Sequence, residues 1–245
     1  NKYPTGGTVR KSAPIADFDA IFFPSCTATL FGTSDSTGAL ITLAKRAGIK
    51  LSIPTGIDSL CCGTPWKSKG YSEGYEVMSK AVTDSLAKVT NGKQVTIVTD
   101  SSSCSGGLTE LLASQPHLLV VDSIQFVEEN ILPKLAFTKV RSVALHPTCS
   151  TTSMGINGSL TNLAKAIADE VFIPENWGCC AFAGDRGMTF PELTASATLE
   201  QANEIKARED SFHISANRTC EIGMSKATGK KYRHILEVLE DIATP

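Results

Sequence analysis

The chain has 245 residues, 42% apolar and 20% charged, with a formal net charge of −2 and a pI near 6.1. That length supports two domains of ordinary size. The faint acidity argues against nucleic acid as a main partner, and without a run of 18 apolar residues no membrane-spanning helix is expected. No signal peptide or lipidation motif is evident, so a cytoplasmic location is expected.

In chain order, Asn1 to Pro14 is polar and rich in Pro and Gly, and residues 1–16 read as a linker from something upstream. The start at Asn rather than Met suggests a piece of a longer polypeptide. The apolar run Phe22-Phe23 ends in Pro24-Ser25-Cys26. A helical stretch from Gly38 to Ala47 and a short strand from Lys50 to Pro54 lead to Cys61-Cys62-Gly63. A long helix is expected over Glu73–Val89, a strand over Val95–Thr99, then Ser101-Ser102-Ser103-Cys104 and a closing helix over Ser123–Pro133.

From residue 139 the same order returns. Leu145-His146-Pro147-Thr148-Cys149 answers the first Pro-Ser-Cys, followed by a helix over Leu160–Asp169 and a strand over Val171–Pro174. Cys179-Cys180-Ala181 answers the first pair, with a long helix over Glu192–Arg208, a strand over Phe212–Ser215, Asn217-Arg218-Thr219-Cys220 and a helix over Lys231–Ile242. Strands alternating with helices predict parallel α/β units. The expectation is an α/β protein of two pseudo-symmetric tandem lobes, residues 17–138 and 139–245, each a small parallel sheet flanked by helices.

All eight cysteines fall in this repeat. Cys26, Cys61, Cys62 and Cys104 are 35, 1 and 42 residues apart; Cys149, Cys179, Cys180 and Cys220 are 30, 1 and 40 apart. Adjacent cysteines rarely bridge, and inert core thiols would not recur in register, so each quartet reads as a thiolate cage for a metal. Zinc is one occupant, although it usually draws ligands from Cys-x-x-Cys knuckles and the chain has none. An iron–sulfur cluster, 4Fe–4S and at most one per lobe, is the principal expectation. The cysteines fall where predicted strands turn into helices, a place where α/β proteins assemble sites. Gly107 and Gly187 share these loops with Gly63, Gly106, Gly178 and Gly184, and the last four are expected to let backbone N–H groups approach the cluster sulfurs.

The spacing Cys-x34-Cys-Cys-Gly-x40-Cys, with its second copy, resembles the cysteine-rich CCG domain family. That family includes a cysteine-rich component of heterodisulfide reductase and the iron–sulfur subunits of glycolate oxidase and anaerobic glycerol-3-phosphate dehydrogenase. It also includes the L-lactate-utilisation iron–sulfur protein. Residues 61–71, 178–187, 191–194 and 217–223 together resemble the C-terminal iron–sulfur region of FAD-linked D-lactate dehydrogenases, over about residues 17 to 242. The resemblance implies electron transfer from an FAD domain, in the same polypeptide or a partner subunit, to a quinone, cytochrome or electron-transfer flavoprotein. It also implies a peripheral place at the inner face of the membrane. No Gly-x-Gly-x-x-Gly or ferredoxin-type cysteine run occurs in these residues, so they are not expected to oxidise a hydroxy acid alone.

Two departures from the family pattern matter. Heterodisulfide reductase uses five cysteines per site; Ser101 and Asn217 stand at the extra positions here, which weakens a disulfide-reductase reading. Ala181 replaces the glycine of the second pair. Outside the cysteines, His146, whose counterpart is Phe23, is expected to be a satisfied core histidine. Asp185 and Arg186 are expected to form a local ion pair, and Trp66, Lys67, Lys69 and Tyr71 a solvated loop. Thr109–Leu112 and Ile235–Leu239 read as core. A zinc-held assembly domain without redox function is the remaining alternative.

Overall fold

Short apolar strands alternating with amphipathic helices can bury their apolar faces by laying the helices on parallel sheets. The computed structural model describes residues 7–31 and 35–244. Its first half forms β1 (Ala20–Phe22), α1 (Cys26–Leu30), α2 (Ser36–Arg46), β2 (Leu51–Ser52), α3 (Thr64–Ser68), α4 (Ser72–Thr90), β3 (Val95–Thr99), α5 (Ser102–Leu111), β4 (Leu118–Asp122), α6 (Ser123–Asn130) and β5 (Ala136–Phe137). The second half forms β6 (Val140–Leu145), α7 (Cys149–Ser153), α8 (Asn157–Ile167), β7 (Ala168–Phe172), α9 (Arg186–Thr189), α10 (Pro191–Ala197), α11 (Leu199–Lys206), β8 (Phe212–Ser215), α12 (Arg218–Thr228), β9 (Tyr232–His234), α13 (Ile235–Ile242) and β10 (Ala243–Thr244).

The two four-stranded sheets are parallel throughout and share one strand order, β2-β1-β3-β4 and β7-β6-β8-β9. In each, the chain steps outward from the first strand and then returns across it. The order therefore reverses between β1 and β3, and between β6 and β8. At such a switch point the loops leave in opposite directions and open a crevice at the carboxyl ends of the strands.

Strands β3 and β8 fall on the residues expected. Strands β4 and β9 were not anticipated, because each runs straight into the following helix with no turn residue to separate them. The helix expected over Glu192–Arg208 is broken at Thr198 into α10 and α11. There the buried Thr198 hydroxyl donates to the Thr194 carbonyl at 2.7 Å, a back-bond that bends helices.

The halves interlock about a pseudo-two-fold axis. Helix α13 packs on α2, while its counterpart α6 packs on α8, so each lobe's last helix covers a helix of the other lobe. The strands after those helices, β5 and β10, pair with each other in antiparallel fashion. One apolar core consequently runs through both lobes, from Ile21, Leu40 and Leu43 to Val143, Leu163 and Leu236. A smaller cluster gathers Phe182, Met224 and Tyr232 around Cys180 and Cys220.

The expected linker is only partly described, since residues 1–6 lie outside the described residues. The remainder lies against the first lobe. Ala13 bridges to Ile53, and the buried Arg10 guanidinium donates to the carbonyls of Pro24, at 2.9 Å, and Leu60. Among the described residues no helix is long and apolar enough to cross a membrane.

Leu236 is fully buried on α13. Its replacement by Ala should cost about 2–5 kcal/mol. Because the core is shared, urea unfolding of that variant should remain one transition at a lower midpoint. Two separated transitions would show that the lobes unfold independently.

Candidate metal centre

The repeated Pro-Ser/Thr-Cys is a helix-capping device. Ser25 caps α1, its Oγ accepting from the Ala28 N–H at 3.3 Å, which sets Cys26 at the first helical position just beyond β1. Thr148 caps α7 more fully. Its Oγ1 accepts from the Thr151 N–H and its own N–H donates to Thr151 Oγ1, both at 3.0 Å, with Cys149 next in line. Cys104 and Cys220 sit in the first turns of α5 and α12, after β3 and β8. The adjacent pairs lie in the loops that follow β2 and β7. The cysteines of each quartet thus lie in the segments that follow the strands of their own sheet.

Within the first lobe the thiols converge. Burial and the neighbouring Cys61 and Cys62 push the Cys26 thiol up. A hydrogen bond shared with Cys62, together with burial, pushes Cys61 far up. Contact with Cys104 leads the causes that push Cys62 up to about 12. The second lobe repeats the chain of contacts. Burial and Cys179 raise Cys149, and a hydrogen bond to Cys180 raises Cys179. Cys180 rises on balance: Cys179 holds it down, but Cys220 and burial outweigh that. The sulfurs of Cys180 and Cys220 are 3.2 Å apart. All eight cysteines are free.

Thiols gathered in poorly hydrated crevices resist ionisation because one thiolate opposes the next. A cation among them reverses that balance, since a coordinating thiol is deprotonated outright. Four thiols per lobe would be the donor set of a 4Fe–4S cluster or of a tetrahedral zinc ion; among the described residues, the ligating atoms that lie within 4.8 Å of one another are those of His146, Cys180 and Cys220. The chemistry of the residues therefore fits both groups considered from the sequence.

The residue after each pair has a structural task. Gly63 has a left-handed backbone, φ +85°, and the Gly63 N–H lowers Cys61 by hydrogen bonding to it. Ala181 adopts the same region at φ 52°, and its N–H donates to the Cys179 sulfur at 3.3 Å. Glycine is suited to this turn because the backbone must curl back to aim an N–H at sulfur, and Ala181 does so against its own preference. Gly106 lies on α5, and Gly178 and Gly184 in the second-lobe loops; open space surrounds their Cα atoms. At Gly107 an added Cβ would meet the Thr64 side chain and, at 2.8 Å, the Cys62 carbonyl.

A side-chain contact joins the two lobes beside Cys104 and Cys220. Ser101 and Asn217, the N-cap residues of α5 and α12, make no side-chain cap bonds to their own helices. Instead, Ser101 Oγ donates to Asn217 Oδ1 at 3.0 Å. Beside that contact Cys149, exposed, lines a cleft of about 550 Å³ between the lobes, together with Thr64, Lys67, Tyr75, Gly106, Glu110 and Met154. The exposed Cys149 and Cys179 contrast with half-buried Cys26 and Cys61.

Other expectations fare differently. Asp185 pairs not with Arg186 but with Lys69, at 2.6 Å, joining the loops of the two lobes. Trp66 and Lys67 lie on the short helix α3, with Trp66 edge-on to the exposed Tyr71. His146 is buried, as a core histidine would be; Nδ1 lies 3.1 Å from Gln201 Oε1, while Nε2 has no nitrogen or oxygen partner and the ring lies against the Cys180 thiol. Arg10 was missed altogether. It lies over the Phe23 ring, and its charge favours ionisation of Cys26 and Cys61.

A family model for the CCG cysteine-rich domain matches residues 20–109 and 143–225. The glycolate oxidase iron-sulfur subunit of Escherichia coli K12 is 26% identical over 133 residues, 52% of this chain and 32% of the relative. The chain thus aligns with about a third of that protein's length. Among solved structures, the aspartate racemase of Picrophilus torridus is 10% identical, with a TM-score of 0.38 over 91% of this chain and 93% of its own. The glutamate racemase of Aquifex pyrophilus is 16% identical, with a TM-score of 0.37 over 90% and 80%. Superpositions that loose say nothing of what this chain does.

The left-handed turn makes a paired test. Gly63→Ala should destabilise by about 1–2 kcal/mol for the backbone alone, and more because the new Cβ would lie 2.7 Å from the Tyr75 ring. Ala181→Gly should stabilise by up to about 1 kcal/mol, the relief of strain less the entropy cost of glycine. Urea denaturation reads both; equal effects of the same sign would refute the turn argument.

Proposed function

This chain belongs to the CCG cysteine-rich domain family, and on that premise we propose that it is the iron–sulfur electron-transfer part of a flavin-linked 2-hydroxy-acid dehydrogenase, with D-lactate the substrate of the whole enzyme. The observation that carries the reading is the duplicated quartet: Cys26, Cys61, Cys62 and Cys104 in one lobe, Cys149, Cys179, Cys180 and Cys220 in the other, each set in the segments that follow the strands of its own sheet. The relative's iron-sulfur subunit name supports the same class.

A 4Fe–4S cluster held by each quartet would carry single electrons at a potential set by charge, hydrogen bonds to sulfur and exposure. The chain's own residues supply those settings. Gly63 and Ala181 aim N–H groups at Cys61 and Cys179. Arg10 places a buried positive charge by the first quartet. The Ser101–Asn217 bond joins the starts of the helices that bear Cys104 and Cys220, which keeps the two centres in one rigid frame. Exposed Cys149, facing the interlobe cleft, marks the side from which an acceptor would approach.

Hydride or proton abstraction from a hydroxy acid needs a flavin and a base against the substrate carbon; that work belongs to an FAD domain in the same polypeptide or a partner subunit. A quinone, cytochrome or electron-transfer flavoprotein would accept the electrons, with the protein peripheral at the inner face of the membrane. A non-redox zinc domain is the second reading, favoured by the 3.2 Å approach of Cys180 and Cys220, which suits one small ion. A disulfide-reducing role is disfavoured, because Ser101 and Asn217 hold the positions where a fifth cysteine would serve and bind each other.

Anaerobic purification should yield iron and acid-labile sulfide in equal amounts, with Cys62→Ser and Cys180→Ser each lowering both. In the flavin-bearing holoenzyme the same variants should leave single-turnover bleaching of the flavin by D-lactate intact and slow transfer to the acceptor. Zinc without sulfide would replace this reading with the second, and loss of flavin bleaching in folded, flavin-loaded variants would refute the relay role.

A further inference from the structure

The two lobes differ most at one buried position. In the first, Phe23 follows β1 and is an ordinary core side chain; in the second, the equivalent His146 follows β6. The His146 backbone is fixed on both sides, its N–H donating to the Ile214 carbonyl at 2.9 Å and its own carbonyl accepting from Ser215 Oγ at 3.0 Å. The ring has little freedom either, because the equally buried Gln201 holds Nδ1.

That contact also sets the tautomer. The Gln201 amide nitrogen donates to the Gly178 carbonyl at 3.4 Å, so its oxygen is the atom turned to the imidazole. An oxygen there requires the proton on Nδ1, and a neutral imidazole then carries its lone pair at Nε2. Nε2 is buried without a nitrogen or oxygen partner, and the imidazole lies against the Cys180 thiol. A ring nitrogen of His146 and the sulfurs of Cys180 and Cys220 lie within 4.8 Å of one another. His213 and His234 also leave Nε2 unpartnered, but neither belongs to a cluster of metal-ligating side chains among the described residues.

A phenylalanine occupies the same place in the first lobe, so bulk alone does not call for imidazole. A ring that donates Nδ1–H to an oxygen acceptor and offers Nε2 to a thiol cluster has the arrangement of a metal-bound histidine with its outer partner. We propose that His146 is a metal ligand of the second-lobe centre, binding through Nε2 beside Cys180 and Cys220, and that Gln201 is its positioning residue. The first-lobe centre, with Phe23 in that place, is then held by thiolates alone. The inference rests on the iron–sulfur reading for its metal but not for its donor set.

Pulsed electron paramagnetic resonance on the anaerobically purified, reduced protein tests it. With 15N-histidine labelling, the spectrum should show a strong coupling from a directly bound nitrogen. His146→Phe, which copies the first lobe, should abolish that coupling while the first-lobe signal stays unchanged as an internal reference. Gln201→Leu keeps the imidazole but frees its tautomer, and should weaken the second lobe's hold on metal by about 10–100-fold in chelator competition. Should His146→Phe fail to fold, the Gln201 variant and the labelled wild type still decide. Iron and sulfide at both centres with no nitrogen coupling would overturn the ligand while leaving the proposed function standing. If zinc is found in place of iron, a nitrogen shell at about 2.0 Å in its X-ray absorption spectrum would support the ligand and sink the electron-transfer reading. A shell of sulfur alone, or a second lobe that takes up no metal, would overturn both.

Discussion

Four thiols drawn together at the end of a small parallel sheet are in an uncomfortable place. Burial disfavours a thiolate, neighbouring sulfurs oppose a second charge, and a neutral thiol is a weak hydrogen-bonding partner. The raised Cys26, Cys61, Cys62, Cys149, Cys179 and Cys180 express that tension. A positive charge between the sulfurs would resolve it, and much of the surrounding structure supplies positive potential or backbone donors to the same spot. The capped helices α1 and α7 present their N-terminal ends to Cys26 and Cys149. The left-handed turns at Gly63 and Ala181 turn N–H groups inward.

Such a crevice needs a stiff frame, because cluster ligands from three loops must be held in register. Three-residue and two-residue strands such as β1 and β2 are weak frames by themselves. The exchange of last helices provides the stiffness. With α13 over α2 and α6 over α8, neither sheet is covered without the other, and the small β5–β10 ribbon ties the crossing point. Asp100, buried at the end of β3, adds a polar clamp: it accepts from the Ser25 N–H at 2.6 Å, Ser36 Oγ at 3.0 Å and Thr37 Oγ1 at 2.7 Å. One carboxylate thus fixes the starts of both helices beside Cys26.

Much of this was legible in the residues. The single–pair–single cysteine pattern revealed the duplication, and the alternation of strand and helix located the sheets, because period and spacing survive in one dimension. What could not be read were matters of partnership. Periodicity shows that Ile235 to Leu239 is apolar on one face but not that the face belongs partly to the opposite lobe. Arg10 sits in a polar, Pro- and Gly-rich segment that looks like linker until its guanidinium is seen on the carbonyls of Pro24 and Leu60. Asp185 found Lys69 across the lobes instead of the arginine beside it, since adjacent side chains in a turn seldom face each other while the loops of two lobes do.

The departures from symmetry then acquire a common sense. A duplicated unit with identical halves would give two equal centres, and equal centres impose no direction on an electron. Here the halves differ at the positions that touch sulfur or lie next to it: Phe23 against His146, Gly63 against Ala181, and Arg10, which has its place by the first quartet alone. Exposure differs too, with Cys149 and Cys179 open where Cys26 and Cys61 are half covered. Donor type, nearby charge, hydrogen bonding and solvent access are the levers by which a protein sets a cluster's potential. The fold keeps the two sites equivalent in architecture, so these few side chains are where the two can be made unequal.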